Sequence, residues 1–221
     1  MKRSIILIAD GDAHARRLVD AVRSSGQWHV LEARDGAAAL VQARDHRPVL
    51  ILIGDGLPRG EATALVAALR DEPPPLRSTA ILAQSDAAGP DERLWRLGFD
   101  GCVAPSGRPE ALLAAVADWR PDDELAGAHR LAEQFGQPAI VPLIARFREE
   151  LAAAVASLNG TPSQDAMHRI AGIAGTLGFD RVGSSWEQLS RGDAAIASIA
   201  RREGRRVLAQ IDRDAIFAPA D

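Results

Sequence analysis

The chain has 221 residues, long for one domain and comfortable for two, and its hydrophobic content of 47% is enough to build buried cores. Its 26 basic and 30 acidic side chains leave a formal charge of −4, and neither half is a basic patch, so nucleic acid binding by phosphate neutralisation is excluded as a leading function. One cysteine, Cys102, forms no internal disulfide and gives no metal-ligand spacing. The apolar segment Ile5–Ala9 is broken at once by Asp10, too short for a signal peptide or a membrane span. The expectation is a cytoplasmic protein that does not bind membranes.

In chain order, short apolar runs alternate with longer amphipathic ones over the first 120 residues. Ser4–Ala9, Trp28–Ala33, Val49–Ile53, Thr79–Ala83 and Gly101–Ala104 are predicted strands, and 13–24, 36–46, 60–70, 90–97 and 108–119 are predicted helices. Nearly continuous apolar strands separated by helices imply a parallel sheet covered on both faces. The fold class is therefore an α/β doubly wound five-stranded sheet with its crevice at the C-terminal strand ends. Arg120-Pro121-Asp122-Asp123-Glu124 is the predicted domain boundary.

Beyond it the pattern turns helical. A short helix is predicted near 125–135. Ile140, Ile144, Phe147, Leu151, Val155 and Leu158 then recur at helical spacing within a long helix, Pro138–Leu158. Thr161-Pro162-Ser163-Gln164 reads as a helix start, with threonine as N-cap, proline at N1 and glutamine at N3, and Gly178 ends that helix after Leu177. Further helices are predicted near 181–191 and from Asp193 to about Ala215. The second domain, about 125–217, is expected to be an all-α four-helix bundle with a short leading helix.

On the helix that ends at Leu177, Ala166, Ile170, Ile173 and Leu177 are the predicted buried stripe. His168 lies roughly 140–200° from Ile170 and Ile173 and so faces solvent. Gln164, Gly172 and Gly175 surround it at i−4, i+4 and i+7. Each glycine disfavours the helix by about 1 kcal/mol against alanine, yet the exposed face has no packing need for it. Clearance beside an imidazole is one explanation and close helix–helix contact is the other. His14, His29, His46 and His129 have no comparable setting.

The stretch His168-Arg169-Ile170-Ala171-Gly172, followed by Leu177-Gly178, resembles the histidine phosphotransfer signature. Leu131-Ala132-Glu133-Gln134-Phe135-Gly136 resembles the start of such domains. The resemblance implies that His168 carries a phosphoryl group, with Gln164, Arg169, Gly172 and Gly175 forming the partner's access surface. Two positions depart from the signature: Ala171 stands where a lysine is usual, and Ser190 where the following helix often has a glutamine.

Residues Ser4 to Trp119 resemble a response-regulator receiver. Ile5–Asp12 matches the first strand and its acids, Pro48–Pro58 the acceptor strand and loop, and Leu97–Pro105 the fifth strand. Receiver chemistry needs an acceptor aspartate, acids for Mg²⁺, a hydroxyl and a lysine. The resemblance places Gly54 at the acceptor, Gly11 at the main metal acid, Pro105 at the lysine and Cys102 at the aromatic switch. Asp10 and the hydroxyl residue Ser85 survive, and Asp55 stands one residue past the acceptor position. The receiver-like half is thus expected to lack the chemistry.

Together these resemblances imply a phosphorelay intermediate. It would accept phosphate on His168 from the receiver of a hybrid histidine kinase and pass it to a downstream response-regulator receiver. No cofactor is expected on this chain, and Mg²⁺ is expected on the partner receiver. With no Gly-x-x-x-x-Gly-Lys loop, it is a phosphocarrier and not an ATP-dependent kinase. The receiver-like half is expected to serve recognition or self-association, through a face that includes Leu94, Trp95, Leu112 and Trp119, with some of these four in the core. The competing expectation is a non-catalytic adaptor or inhibitor that binds a kinase or receiver without carrying phosphate.

Overall fold

The computed structural model describes residues 3–12, 15–58, 60–85, 92–104, 109–121, 124–158, 160 and 163–219. The chain divides into two compact units, Met1–Arg120 and Pro121–Asp221.

The first unit alternates β1 (Ser4–Ala9), α1 (Ala15–Ser24), β2 (Trp28–Ala33), α2 (Gly36–His46), β3 (Leu50–Ile53), α3 (Glu61–Asp71), β4 (Ala80–Gln84), α4 (Glu92–Arg96), β5 (Gly101–Val103) and α5 (Pro109–Ala117). The strands pair in the order β2-β1-β3-β4-β5, and every pairing is parallel. Alternate side chains serve opposite faces of the sheet. Leu7, Ala9, Ile51 and Ile53 pack with Ala39 and Ala43 of α2 and with Leu65, Val66 and Leu69 of α3. Ile6, Ile8, Leu50 and Leu52 pack on the other side with Val19 and Val22 of α1 and Leu112 and Val116 of α5. This double covering is why the strands read as unbroken apolar runs, and it gives the doubly wound fold that their pattern implies.

Asp100, just before β5, ties this unit together. Its side chain is fully buried; Oδ2 accepts from Arg70 at 2.6 Å and from the Ile81 N–H at 2.9 Å. The same guanidinium donates to the carbonyls of Gly98, Arg77 and Thr79. Removing the carboxylate leaves a half-buried cation and an orphaned strand N–H. Asp100→Ala should therefore lower the unfolding free energy by about 2–4 kcal/mol, measured by urea denaturation.

The second unit contains α6 (Ala126–Phe135), α7 (Gln137–Ser157), α8 (Gln164–Leu177), α9 (Asp180–Ser190), a 3-10 turn (Ala194–Ile196) and α10 (Ala197–Ile211). Its described residues include no strand. α7 packs against α6, α8 and α10, and α9 packs against α8 and α10. The six apolar residues predicted to line α7, Ile140 to Leu158, are all buried, and they meet Ile170, Trp186 and Val207 in one core.

Most predicted bounds shift by a residue or two, and two differences in the second unit have a local cause. α8 starts at Gln164 with Ser163 as its N-cap, in place of Thr161; Thr161 and Pro162 lie outside the described residues. Serine caps as well as threonine. The later start puts Gln164 at N1, where its amide donates to the Ser190 carbonyl at 3.0 Å, one of the orphan acceptors at the end of α9. The single helix predicted from Asp193 is split. Asp193 caps the 3-10 turn through the Ala195 N–H, and past Ile211 the Asp214 carboxylate takes the N–H groups of Ile216 and Phe217. A short acid that captures nearby backbone competes with helix continuation.

Candidate functional sites

The order β2-β1-β3 opens the crevice of a doubly wound sheet at the C-terminal ends of β1 and β3. Asp10 and Gly54 stand there, one residue past each strand, and the Gly54 N–H donates to the Ala9 carbonyl at 2.8 Å. Asp10 is only 7% exposed, and its Oδ1 accepts from the Asp12 N–H at 2.9 Å.

The carboxylate fills the space that side chains at 54 and 56 would need. A Cβ on Gly54 would lie 1.9 Å from Asp10 Oδ2, and one on Gly56 would lie 2.1 Å from Oδ1. A Cβ on Gly11 would lie 2.5 Å from the Gly56 carbonyl oxygen. Gly54 and Gly56 thus leave the room that the inward-turned Asp10 carboxylate occupies, and Gly11 lets the Gly56 backbone approach. Asp55 is exposed, Ser85 is half-buried with its N–H on the Val103 carbonyl, and Pro105 lies outside the described residues. Among the described residues no cluster of three or more His, Cys, Asp or Glu is placed to hold a metal ion.

Burial pushes the Asp10 carboxyl above its ordinary pKa of 3.8. The charges of Asp55 and Asp12 add to the rise, and N–H donors at Asp12 and Gly56 oppose it. A raised folded-state pKa means that ionisation destabilises the fold: the penalty is absent below the ordinary value and grows as pH rises through the folded one. Asparagine keeps an oxygen for the Asp12 N–H without the charge. Asp10→Asn should therefore stabilise the chain at pH 7, and the gain should shrink as pH falls toward 4 in urea titrations at several pH values.

The expected association face of the first unit is corrected by its burial. Trp95, Leu112 and Trp119 are core residues, Leu94 is partly buried against the core, and no large apolar side chain of that group is offered to a partner. Their size made them the natural filling of a small core.

On α8, the buried residues are Met167, Ile170, Ala174 and Leu177, while Ala166 and Ile173 are only partly covered. The stripe is rotated by part of a turn from the predicted one, because α7 and α9 flank α8 from both sides. His168 remains exposed and has no hydrogen bond or ion pair with any described residue. A Cβ on Gly172 or Gly175 would meet nothing within 4 Å.

Close helix contact is made by a different glycine. A Cβ on Gly183 of α9 would lie 3.3 Å from the Gly175 nitrogen and 3.4 Å from the Ala171 carbonyl oxygen. Its only sequence signal is a small residue on the inner face of a helix. Arg169 turns away from His168 toward α7, where its Nε lies 3.2 Å from Glu150 Oε2; Glu150 Oε1 accepts from Arg146 at 2.9 Å. Ser190 is buried, with its hydroxyl on the Glu187 carbonyl. Gln164, Gly172 and Gly175 thus share the histidine's exposed side, and Arg169 leaves it. Gly172→Ala should raise stability by up to about 1 kcal/mol in thermal unfolding, whereas a loss would reveal a packing role.

No family model matches the chain. The polar-differentiation response regulator DivK of Brucella anthropi is 29% identical over 109 residues, 49% of this chain and 86% of DivK. DivK of Brucella ovis is 28% identical over the same length and shares. Among solved structures, the chemotaxis response regulator CheY4 of Vibrio cholerae aligns at 22% identity and a TM-score of 0.49, over 54% of this chain and 100% of CheY4. A response regulator from Desulfuromonas acetoxidans aligns at 20% identity and a TM-score of 0.45, over 52% of this chain and 94% of its own. The N-terminal half of the chain resembles a response-regulator receiver. Among the described residues no helix is long and apolar enough to cross a membrane.

Proposed function

We propose that the chain is a phosphorelay intermediate whose second unit is a histidine phosphotransfer domain. The receiver-like relatives of the first half imply two-component signalling and other two-component proteins as partners. The observation that carries the finer reading is His168: exposed, without a hydrogen-bond or ion-pair partner among the described residues, and beside two glycines whose outward side is open. The pairings of α7 with α8 and α10, and of α9 with the same two helices, support reading α7–α10 as a four-helix bundle.

In this reading the neutral imidazole attacks the phosphorus of an aspartyl phosphate on a partner receiver. An N–P bond forms, the acyl P–O bond breaks, and the partner's carboxylate leaves with the electron pair. The reverse exchange on a second receiver transfers the group onward and returns the imidazole. Mg²⁺ and the groups that stabilise the transferring phosphoryl belong to the receivers. The receiver-like half serves recognition or self-association, and the setting is cytoplasmic.

One observation favours the adaptor reading. Arg169 is engaged by Glu150, and Ala171 and Ser190 offer nothing to a phosphoryl group, so the histidine's face carries no positioned cation from those residues.

Incubation of the full chain with radiolabelled phospho-receivers separates the two. The expected result is one acid-labile, base-stable label per chain, absent from His168→Gln. Base-stable label that persists in that variant would place the phosphate on another histidine, and base-labile label would point to a carboxylate such as Asp55. Binding without label from any receiver would establish the adaptor.

A further inference from the structure

Gly172 follows His168 by four residues and Arg169 by three, so on α8 it adjoins both of them one turn further on. A Cβ there would meet nothing within 4 Å, and the gap it leaves lies between an exposed imidazole and an exposed guanidinium. A phosphoryl group on the imidazole has room over that gap. Ala171, at the position where the phosphotransfer signature has a lysine, brings no charge to it.

Arg169 is the nearest cation in sequence, and little ties it down. Its Nε lies 3.2 Å from Glu150 Oε2, yet that oxygen accepts no hydrogen bond from a described residue, and no guanidinium N–H of Arg169 donates to one. Glu150 is already served by Arg146 of its own helix, which donates to Oε1 at 2.9 Å. Two cations thus share one carboxylate. The Arg169 side chain is 60% exposed, so leaving the pair strands neither charge: the guanidinium is solvated, and Glu150 keeps Arg146. A planar guanidinium matches phosphoryl oxygens, and charge-assisted hydrogen bonds to them are stronger than a solvated ion pair that lacks one.

We propose that Arg169 is a catalytic residue of the transfer: it leaves Glu150 as the phosphoryl group arrives, donates to its oxygens over Gly172, and returns when the group departs. The proposal rests on His168 being the phosphoryl carrier. Arg169 makes and breaks no covalent bond. It offsets the negative charge on the group while one bond to phosphorus replaces another, the part that the signature gives to its lysine.

Phosphoramidate tests this on the full chain, because so small a donor needs no partner receiver. Its P–N bond breaks as the bond from imidazole nitrogen to phosphorus forms, and ammonia leaves. Arg169→Ala should slow labelling of His168 by at least about tenfold, and Arg169→Lys should recover part of the rate. Glu150→Gln releases the guanidinium and should label at least as fast as the unaltered chain. Phosphorus NMR of the labelled chain adds a reading that a purely structural role would not move. Arg169 favours the dianionic phosphoryl group, so the group's apparent pKa should rise in Arg169→Ala and stay near its original value in Arg169→Lys. A labelling rate and a phosphoryl titration both unchanged by Arg169→Ala overturn the proposal and leave His168 as the carrier. Slower labelling of Glu150→Gln overturns the exchange, since the carboxylate would then be aiming the guanidinium. An unaltered chain that takes no label on His168 removes the phosphotransfer reading and this proposal together.

Discussion

The approach of α9 to the backbone of α8 decides which way the histidine helix faces. Gly183 lets the two helices meet at Ala171 and Gly175 with no side chain between them, and the Gln164 amide ties the other end of α8 to the last turn of α9. α7 holds the opposite flank through Glu150 and Arg169. Gripped from both sides, α8 has no freedom to roll, so Met167, Ile170, Ala174 and Leu177 point inward and His168 points out. The imidazole's exposure is a consequence of contacts made by its neighbours.

Glycine acts in opposite senses in the two units. At residues 54 and 56 it removes the volume that would keep Asp10 out of the crevice, and the acid turns in and closes it. At residue 172 it removes volume on the solvent side and keeps the face open. The same absence of a Cβ thus shuts one site and clears another. The difference lies in whether a neighbouring side chain is short enough, and close enough, to move into the gap.

Much of this was legible in the sequence because it rests on periodicity. The alternation of Leu7, Ala9, Ile51 and Ile53 with Ile6, Ile8, Leu50 and Leu52 fixes the two faces of the sheet, and the Ile140–Leu158 repeat fixes the buried side of α7. Local chemistry was harder to read. Ser163 and Thr161 are comparable caps by residue type, and the bond from Gln164 to the Ser190 carbonyl goes with the later start. The inward turn of Asp10 is a rotamer choice permitted by two glycines more than forty residues further along the chain, and Arg169's engagement depends on Glu150, on another helix. Which of Leu94, Trp95, Leu112 and Trp119 are core is decided by packing, and a core with so few aromatics takes both tryptophans inside.

The strand order leaves β2 at one margin of the sheet, bonded to a neighbour on one side only. Six extended residues with open backbone groups form a template on which a stray strand could grow. Here the margin is blunted. His29 and Glu32 project outward into solvent, Arg23 lies across Glu32 at 2.5 Å, and the Gln42 amide occupies the Glu32 carbonyl at 2.7 Å. At the other margin β5 has three residues, too few to seed an extended ladder. Both borders of the sheet therefore resist edge-to-edge polymerisation.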